Sequence, residues 1–172
     1  TTQNNILATT NVLNFAKAVG AKRVIYSSSS SVVGDGGGPI SPYALQKLYS
    51  EMECQLWSKI YGLDTVCLRY FNVYSEDQEA KTVYATAIAN WMEHGGIFHG
   101  TVCDVGTGKN ISLNEVIDIV YKHFPKVEFE KRPPRKGDVL LTRANTTSLK
   151  KIGWTAQISI VDGINNCFKE LK

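Results

Sequence analysis

The sequence lacks the features that mark several classes of protein. It has no apolar run of about 18 residues, the length that a membrane-spanning helix needs. Its first residues, TTQNNILATT, carry neither the basic start nor the apolar run of a secretory signal peptide. The net charge is only +3 at pH 7, and the basic residues form no long block. We therefore expect neither a membrane nor a nucleic acid as a partner.

Cysteine and histidine are also scarce. The three histidines do not cluster with the cysteines, and the cysteines lie far apart without the C-x-x-C spacing of a zinc site. We therefore expect no metal site and no disulfide framework. Buried thiols in the reducing cytoplasm are the simplest interpretation of the four cysteines, which are Cys54, Cys67, Cys103 and Cys167.

Apolar residues are abundant, at 43% of 172 residues, which is sufficient for a buried core. Their helical spacing predicts a helix over 5–19, which Gly20 ends. The run RVIY at 23–26 predicts a short buried strand that leads into five serines. A glycine-rich loop follows at 34–39, so the chain starts as a helix, a turn and a strand.

A long helix is predicted next, from Pro42 to Tyr61. Pro42 suits the first helical turn, Ser41 can cap that turn, and Gly62 ends the helix. The β-branched and aromatic residues of DTVCLRYF then predict a second strand.

The second half of the chain repeats this alternation. Ser112 and Glu115 in SLNE fit a capping box at the start of a helix. Strands that alternate with helices at this spacing predict an α/β fold with a mostly parallel sheet. The remaining predicted elements are a helix near 83–93, strands at TVCDV (101–105) and VEFE (127–130), and helices at about 147–151 and 160–171.

Ser29, Tyr43 and Lys47 form the strongest candidate site. Tyr43 and Lys47 are four residues apart on a predicted helix, so their side chains emerge on one face. A phenol with a pKa near 10 is a poor base at neutral pH, but a nearby ammonium favours phenolate and lowers that pKa. The pair could then move the proton of an alcohol. The spacing alone also arises by chance, and a surface tyrosine stacked on a lysine stem is the alternative.

Several segments in order are more specific than this spacing. The sequence resembles the extended short-chain dehydrogenase/reductase family, and within it the NAD-dependent nucleotide-sugar epimerases such as UDP-glucose 4-epimerase. The segments that carry the resemblance are IYSSSSSVVG, SPYALQK, LRYFNVY, VGTGKNISLNEV, PRKGDV and LKKIGW. The resemblance implies an α/β fold with the C-terminal part of a Rossmann-like parallel sheet over 1–72 and a smaller α/β substrate-binding region over 73–172.

The resemblance also implies roles in catalysis. Tyr43 would be the general base and acid, and Lys47 would assist it and hold the nicotinamide ribose of NAD. Ser29 would hydrogen-bond the reacting hydroxyl, while the other four serines of the run are interpreted as strand-end packing. In the implied mechanism, Tyr43 takes the proton of the sugar C4 hydroxyl while hydride passes to NAD. The keto sugar then turns, and hydride and proton return to its opposite face.

Further residues are implied to bind the cofactor and the nucleotide sugar. Asn4 would contact NAD, although a helix N-cap is its alternative, and Phe71 would touch the nicotinamide amide through its backbone. Asn72 would bind the sugar nucleotide. Arg135 and Asp138 match the family's R-x-G-D segment, which grips the nucleotide, and an arginine fork suits phosphate oxygens.

The serine run bears on the type of reaction. Family members that eliminate water carry an Asp-Glu pair directly after the position of Ser29. Ser30 and Ser31 stand there in this chain, and neither can protonate a leaving hydroxyl or abstract a proton from carbon. The sequence therefore favours epimerisation, with a reductase or dehydratase of the same family as an alternative.

The chain departs from the family in several respects, and the most consequential is a missing glycine-rich segment. No G-x-x-G-x-x-G segment precedes the first motif, and without it we expect weakened NAD binding. A non-catalytic fragment that binds a sugar nucleotide or a partner chain therefore stays an alternative to the enzyme. The resemblance further implies a homodimer through the helix at 42–61.

Overall fold

A parallel three-stranded sheet with helices on both faces organises the chain, which confirms the predicted α/β fold. The computed structural model describes residues 2–71, 100–133 and 141–169. The strands, in the order β1-β2-β3, are Val24–Ser29 (β1), Thr65–Tyr70 (β2) and Thr101–Val105 (β3). The helices are Ala8–Ala18 (α1), Pro42–Tyr61 (α2), Leu113–His123 (α3), Thr147–Lys151 (α4) and Ile160–Lys169 (α5).

Helix α2 begins and ends where the sequence predicts. The hydroxyl of Ser41 accepts a hydrogen bond from the backbone N–H of Ala44 at 3.2 Å, and Pro42 occupies the first turn. Gly62 adopts a left-handed conformation with φ of 67°, which ends the helix. Both ends of the helix are therefore set by local signals in the sequence.

Strand β1 is longer than predicted, because it continues through the first three serines. Ser27, Ser28 and Ser29 lie opposite Leu68, Arg69 and Tyr70 of β2. Strand pairing uses backbone groups, so the small polar side chains do not prevent it. As a consequence, β1 ends at Ser29 and β2 ends next to it, just before Phe71.

The central strand, β2, is buried on both faces over its first four residues. Side chains alternate along β2, so that Cys67 faces α1 and α2 whereas Val66 and Leu68 face α4. This double burial explains why the middle of β2, Val66 to Leu68, is apolar at every position. The core on the first face consists of Leu13, Ala16, Cys54, Leu63 and Cys67, and that on the second of Val66, Leu68, Cys103, Val105 and Leu149.

The second half of the chain confirms some predictions and corrects one. The capping box is present, since Ser112 and Glu115 bond each other's backbone N–H at 3.2 and 2.7 Å. The predicted strand VEFE is wrong: residues 127–130 are irregular. Phe129 instead packs edge-on against Tyr121 of α3, with 5.2 Å between ring centroids. This contact accounts for the apolar alternation without a strand partner.

Two further points concern the extent of the fold. The sheet extends across the predicted domain boundary at residue 72, because β3 pairs with β2. The separate roles of 1–72 and 73–172 stay a prediction. The helix predicted near 83–93 lies outside the described residues. Within the ranges that are described, no helix is long and apolar enough to cross a bilayer.

Candidate active site

The candidate site lies at the carboxyl edge of the sheet, where ligands of open α/β sheets bind. Ser29 ends β1, Phe71 follows β2, and the loop after β1 leads back to the first turn of α2. Gly34 makes this return possible, because its φ is 56° and a Cβ there would lie 2.1 Å from the Gly38 carbonyl oxygen. The loop thereby delivers Tyr43 to the same edge.

Tyr43 and Lys47 share one face of α2, as predicted. The Lys47 Nζ lies 5.9 Å from the centroid of the Tyr43 ring and donates a hydrogen bond to the Ser27 carbonyl at 2.8 Å. It also lies 5.0 Å from the ring of Tyr26. Partial burial lowers the pKa of Lys47 below its ordinary value. Tyr43 is 44% exposed, so its ring remains accessible to a ligand.

Ser29 is held by the short 3₁₀ turn at Ser30–Val32. Its hydroxyl accepts hydrogen bonds from the backbone N–H of Ser31 at 3.2 Å and from the Ser31 hydroxyl at 2.9 Å. Because Ser29 is the acceptor in both, its own O–H can still donate to another partner. Ser29 therefore has a fixed oxygen and a donor at the end of β1.

Phe71 is fixed by the third strand. Its backbone N–H donates to the Val105 carbonyl at 3.0 Å. Gly106 approaches it closely, since a Cβ on Gly106 would lie 3.3 Å from that of Phe71. The N–H is thus occupied by the pairing of β2 with β3.

Asn4 is exposed within the π-helical turn Gln3–Leu7 that precedes α1. The alternative of a helix N-cap is wrong for Asn4, because Thr2 precedes this turn. The adjacent Asn5 ties the turn to α2: its side chain donates to Gln46 at 3.0 Å, and its carbonyl accepts from Ser50 at 2.7 Å. The predicted substrate-binding residues Asn72, Arg135 and Asp138 lie outside the described residues.

A buried carboxylate, Glu51, was not predicted. It is 1% exposed and forms a two-pronged ion pair with Arg69, from Nε at 2.8 Å and from Nη2 at 2.6 Å. These hydrogen bonds raise the pKa of Arg69. Ser28 donates to the same carboxylate at 2.5 Å, so its interpretation as strand-end packing is incomplete. The sequence signal was available, because Glu51 follows Lys47 by four residues and thus shares its helix face.

Comparisons with known proteins agree with this fold. A family model described as NAD dependent epimerase/dehydratase family matches residues 1–112. The UDP-glucuronate 4-epimerase of Thermodesulfobacterium geofontis is 28% identical over 94% of this chain and 62% of its own length.

Two solved structures are similar in fold. One is a mutant UDP-glucuronic acid 4-epimerase from Bacillus cereus in complex with UDP-4-deoxy-4-fluoro-glucuronic acid and NAD (TM-score 0.86, 20% identity, 99% of this chain and 68% of that one). The other is the NAD dependent NDP-hexosamine 5,6-dehydratase TunA (TM-score 0.81, 20% identity, 97% and 69%). The chain spans about two thirds of the length of these proteins.

Proposed function

Because the chain belongs to the NAD dependent epimerase/dehydratase family, we propose that it epimerises a nucleotide sugar, at C4 of a UDP-hexose. The single observation that carries the proposal is the arrangement of Lys47, anchored on the Ser27 carbonyl and close to the exposed ring of Tyr43. The similarity to a UDP-glucuronate 4-epimerase supports the choice of substrate class.

Tyr43 is the proposed proton carrier. Its exposed phenol can accept the proton of a sugar hydroxyl and later return it. The Lys47 ammonium stabilises the phenolate that forms, because it is an opposite charge on the same helix face. Ser29 donates its O–H to the reacting sugar oxygen and keeps that oxygen close to Tyr43. The proton therefore moves between groups that belong to this chain.

The residues at this edge fit the nicotinamide end of NAD. When bound, NAD supplies an acceptor and a donor of hydride. The Lys47 ammonium has three N–H donors and donates one of them to the Ser27 carbonyl, so the others can bind ribose hydroxyls. The Phe71 carbonyl can accept from a nicotinamide amide N–H. Asn4 is proposed to assist from the turn before α1.

The nucleotide part of the substrate is assigned to residues beyond this edge. Asn72, directly after Phe71, is proposed to bind the sugar nucleotide, and Arg135 with Asp138 to hold its phosphates and base end. An arginine would offer two parallel hydrogen bonds to phosphate. The roles of these three residues are proposed from the family resemblance alone.

A dehydratase is the second candidate, because the fold is also similar to a 5,6-dehydratase. Ser30 and Ser31 form the 3₁₀ turn beside Ser29, and neither carries an acid or a base for eliminating water. This observation favours epimerisation. Detection of a dehydrated product with a double bond between C5 and C6 would favour the dehydratase instead.

The proposed activity is tested with Tyr43→Phe. We expect the wild-type protein, supplied with NAD, to interconvert UDP-glucose with UDP-galactose or UDP-glucuronate with UDP-galacturonate. Tyr43→Phe should lose this activity and keep its circular dichroism spectrum. Tyr121→Phe is the matched control, because Tyr121 is similarly exposed but lies on α3. Equal activity of Tyr43→Phe and wild type would refute the assignment.

The non-catalytic alternative has its own test. We expect the purified protein to bind NAD(H), which is detected by the fluorescence of copurified or added NADH. Binding of a UDP-sugar without any NAD(H) would support a fragment that no longer catalyses. Binding of both ligands supports the enzyme.

We also propose a homodimer through α2 and the adjacent α1. Their outer faces expose apolar side chains at helical spacing, a pattern that favours helix packing. Leu56→Glu should shift the mass measured by light scattering to that of a monomer, whereas Leu141→Glu, elsewhere on the surface, should not. The exposed residues are Val12, Phe15, Val19, Leu45, Tyr49, Met52, Leu56 and Ile60.

The proposed location is the reducing cytoplasm. Cys54, Cys67 and Cys103 are buried free thiols, a state that such a compartment maintains. Cell fractionation with detection of the protein tests this location.

A further inference from the structure

A row of polar residues crosses the sheet directly behind the candidate site. Ser28 lies opposite Arg69, and Arg69 lies opposite Asp104, so the three strands each contribute one member. Glu51 of α2 covers this row and bonds both Ser28 and Arg69. One buried carboxylate thus joins α2 to β1 and β2 at the same level.

The same carboxylate stands one helical turn from the candidate site. Lys47 bonds the carbonyl of Ser27, and Glu51 bonds the hydroxyl of Ser28. Two neighbouring residues of β1 are therefore matched to two residues of α2 that are four positions apart. A shift of the helix by one turn, about 5.4 Å, would separate both contacts and move Tyr43 from the edge.

We propose that Glu51 is a positioning residue, which holds Lys47 and Tyr43 at the carboxyl edge of the sheet by tying α2 to Ser28 and Arg69. The proposal rests on the proposed function in naming Tyr43 and Lys47 as the reacting pair. Glu51 itself makes no contact with substrate in this account. It acts through the register of α2 against β1.

The contacts of Glu51 explain why a charged side chain stands at this buried position. Packing alone would be served by an apolar side chain, and burial of a carboxylate is unfavourable unless it is paired and hydrogen-bonded. Arg69 and Ser28 supply those partners in directional bonds, and such bonds fix position more narrowly than apolar contact. Directional fixation is useful beside a site where displacement of about 1 Å can reduce the rate a hundredfold.

The first test uses two uncharged substitutions and needs no activity. Ser28→Ala removes the tie between β1 and Glu51. Thr65→Val is the matched control, because the buried Thr65 hydroxyl donates to the Cys54 carbonyl and joins β2 to the far half of α2. NMR titration of the Lys47 side chain in the native protein, assigned with Lys47→Arg, is the measurement. Tyr26 from β1 and Tyr43 from α2 face Lys47, and neither substitution alters these two residues.

We expect both variants to lower the melting temperature, and Ser28→Ala alone to raise the pKa of Lys47 toward about 10.4, the value of a solvated lysine. The rise follows because a loosened α2 returns Lys47 to water. An unchanged titration in Ser28→Ala, with the same loss of melting temperature as Thr65→Val, would overturn the proposal. This result is independent of whether the protein is an epimerase.

The second test measures kinetics. Ser28→Ala should lower kcat by about tenfold with little change in KM for the nucleotide sugar, while Thr65→Val keeps both constants. Ser28→Thr, which retains the hydroxyl, should recover most of the lost kcat. Loss of kcat in Thr65→Val to the same degree would contradict a positioning role. Inactive wild-type protein would refute the proposed function and leave the titration as the test of Glu51.

Discussion

Two ion pairs stand at opposite ends of strands β1 and β2. At the amino end, Arg23 and Asp64 pair at 2.6 Å, and at the carboxyl end Arg69 and Glu51 pair at the same distance. The first pair joins the residues that precede the two strands. The second joins the sheet to α2, four residues after Lys47. Equal distances therefore have unequal consequences in our account, because the carboxyl-end pair helps to place a reactive side chain.

The two lysines of α2 test the comparison with the largest expected effect. Lys47→Met should reduce epimerase activity by about a hundredfold to ten-thousandfold, the range of acid–base assistance. Lys59→Met, at the exposed far end of the same helix, should leave the rate within about twofold of wild type, since it touches nothing at the site. Steady-state kinetics with matched circular dichroism provides the measurement. Similar losses of activity in both variants would show that the position of Lys47 at the carboxyl end of the sheet has no special importance for the rate.

Neutralising each ion pair tests its contribution to stability. Glu51→Gln removes the charge of a carboxylate side chain that is only 2% exposed and leaves the guanidinium of Arg69 without its charged partner, and we expect a loss of about 3 kcal/mol. Asp64→Asn neutralises a more exposed carboxylate, at 11%, with an expected loss of about 1 kcal/mol. Urea denaturation of the two variants gives both values. A larger loss in Asp64→Asn would reverse the comparison.

Two glycines with positive φ offer a smaller contrast. Gly62 ends α2 with open space around it, so Gly62→Ala should cost about 1 kcal/mol. At Gly34 the added methyl also meets the Gly38 carbonyl, and Gly34→Ala should cost about 2 kcal/mol and lower activity by displacing the loop to Tyr43. Thermal unfolding and kinetics separate the two effects. Full activity in Gly34→Ala would mean that this loop does not position Tyr43.

Asp104 and Glu115 provide the smallest contrast, in the dependence of stability on pH. Burial raises the pKa of Asp104, although the Asn145 N–H and Arg69 oppose this, and Glu51 also faces the group. Its folded pKa exceeds the unfolded value, so its contribution to stability is lost as pH rises through that interval. The pKa of Glu115 is lowered by its bonds to Ser112, so its contribution is lost as pH falls.

Asp104→Asn should therefore gain stability relative to wild type as pH rises from about 4, the ordinary carboxyl pKa. Glu115→Gln should lose stability relative to wild type as pH rises over the same range. Denaturant midpoints at a series of pH values measure both. Parallel slopes in the two variants would contradict the assigned causes.

The boundaries of the helices were predictable because the residues that set them are close together in the sequence. Ser41, Pro42 and Gly62 define α2 through contacts within a few residues, and Ser112 with Glu115 does the same for α3. The length of β1 was not predictable from RVIY, because Ser27 to Ser29 become strand only by pairing with β2. VEFE failed for the converse reason: its alternation reflects the contact of Phe129 with Tyr121.

The candidate site also has a part that was predictable from local sequence and a part that was not. The spacing of Tyr43 and Lys47 predicted a shared helix face, and the structure places Nζ near the ring. The bond from Ser28 to Glu51 joins residues 23 positions apart, and that from Arg69 joins residues 18 apart. Such contacts depend on how the helix packs on the sheet. The helical repeat from Lys47 could indicate that Glu51 shares the face, but not which partners it finds.

The most direct measurement of the central claim is a rapid-mixing experiment that follows the near-ultraviolet absorbance of reduced nicotinamide. The protein, preincubated with NAD, is mixed with a UDP-hexose. We predict a transient rise with wild type and none with Tyr43→Phe, although both bind the two ligands equally. A rise of equal rate and size in Tyr43→Phe would contradict the role of Tyr43 as the proton carrier.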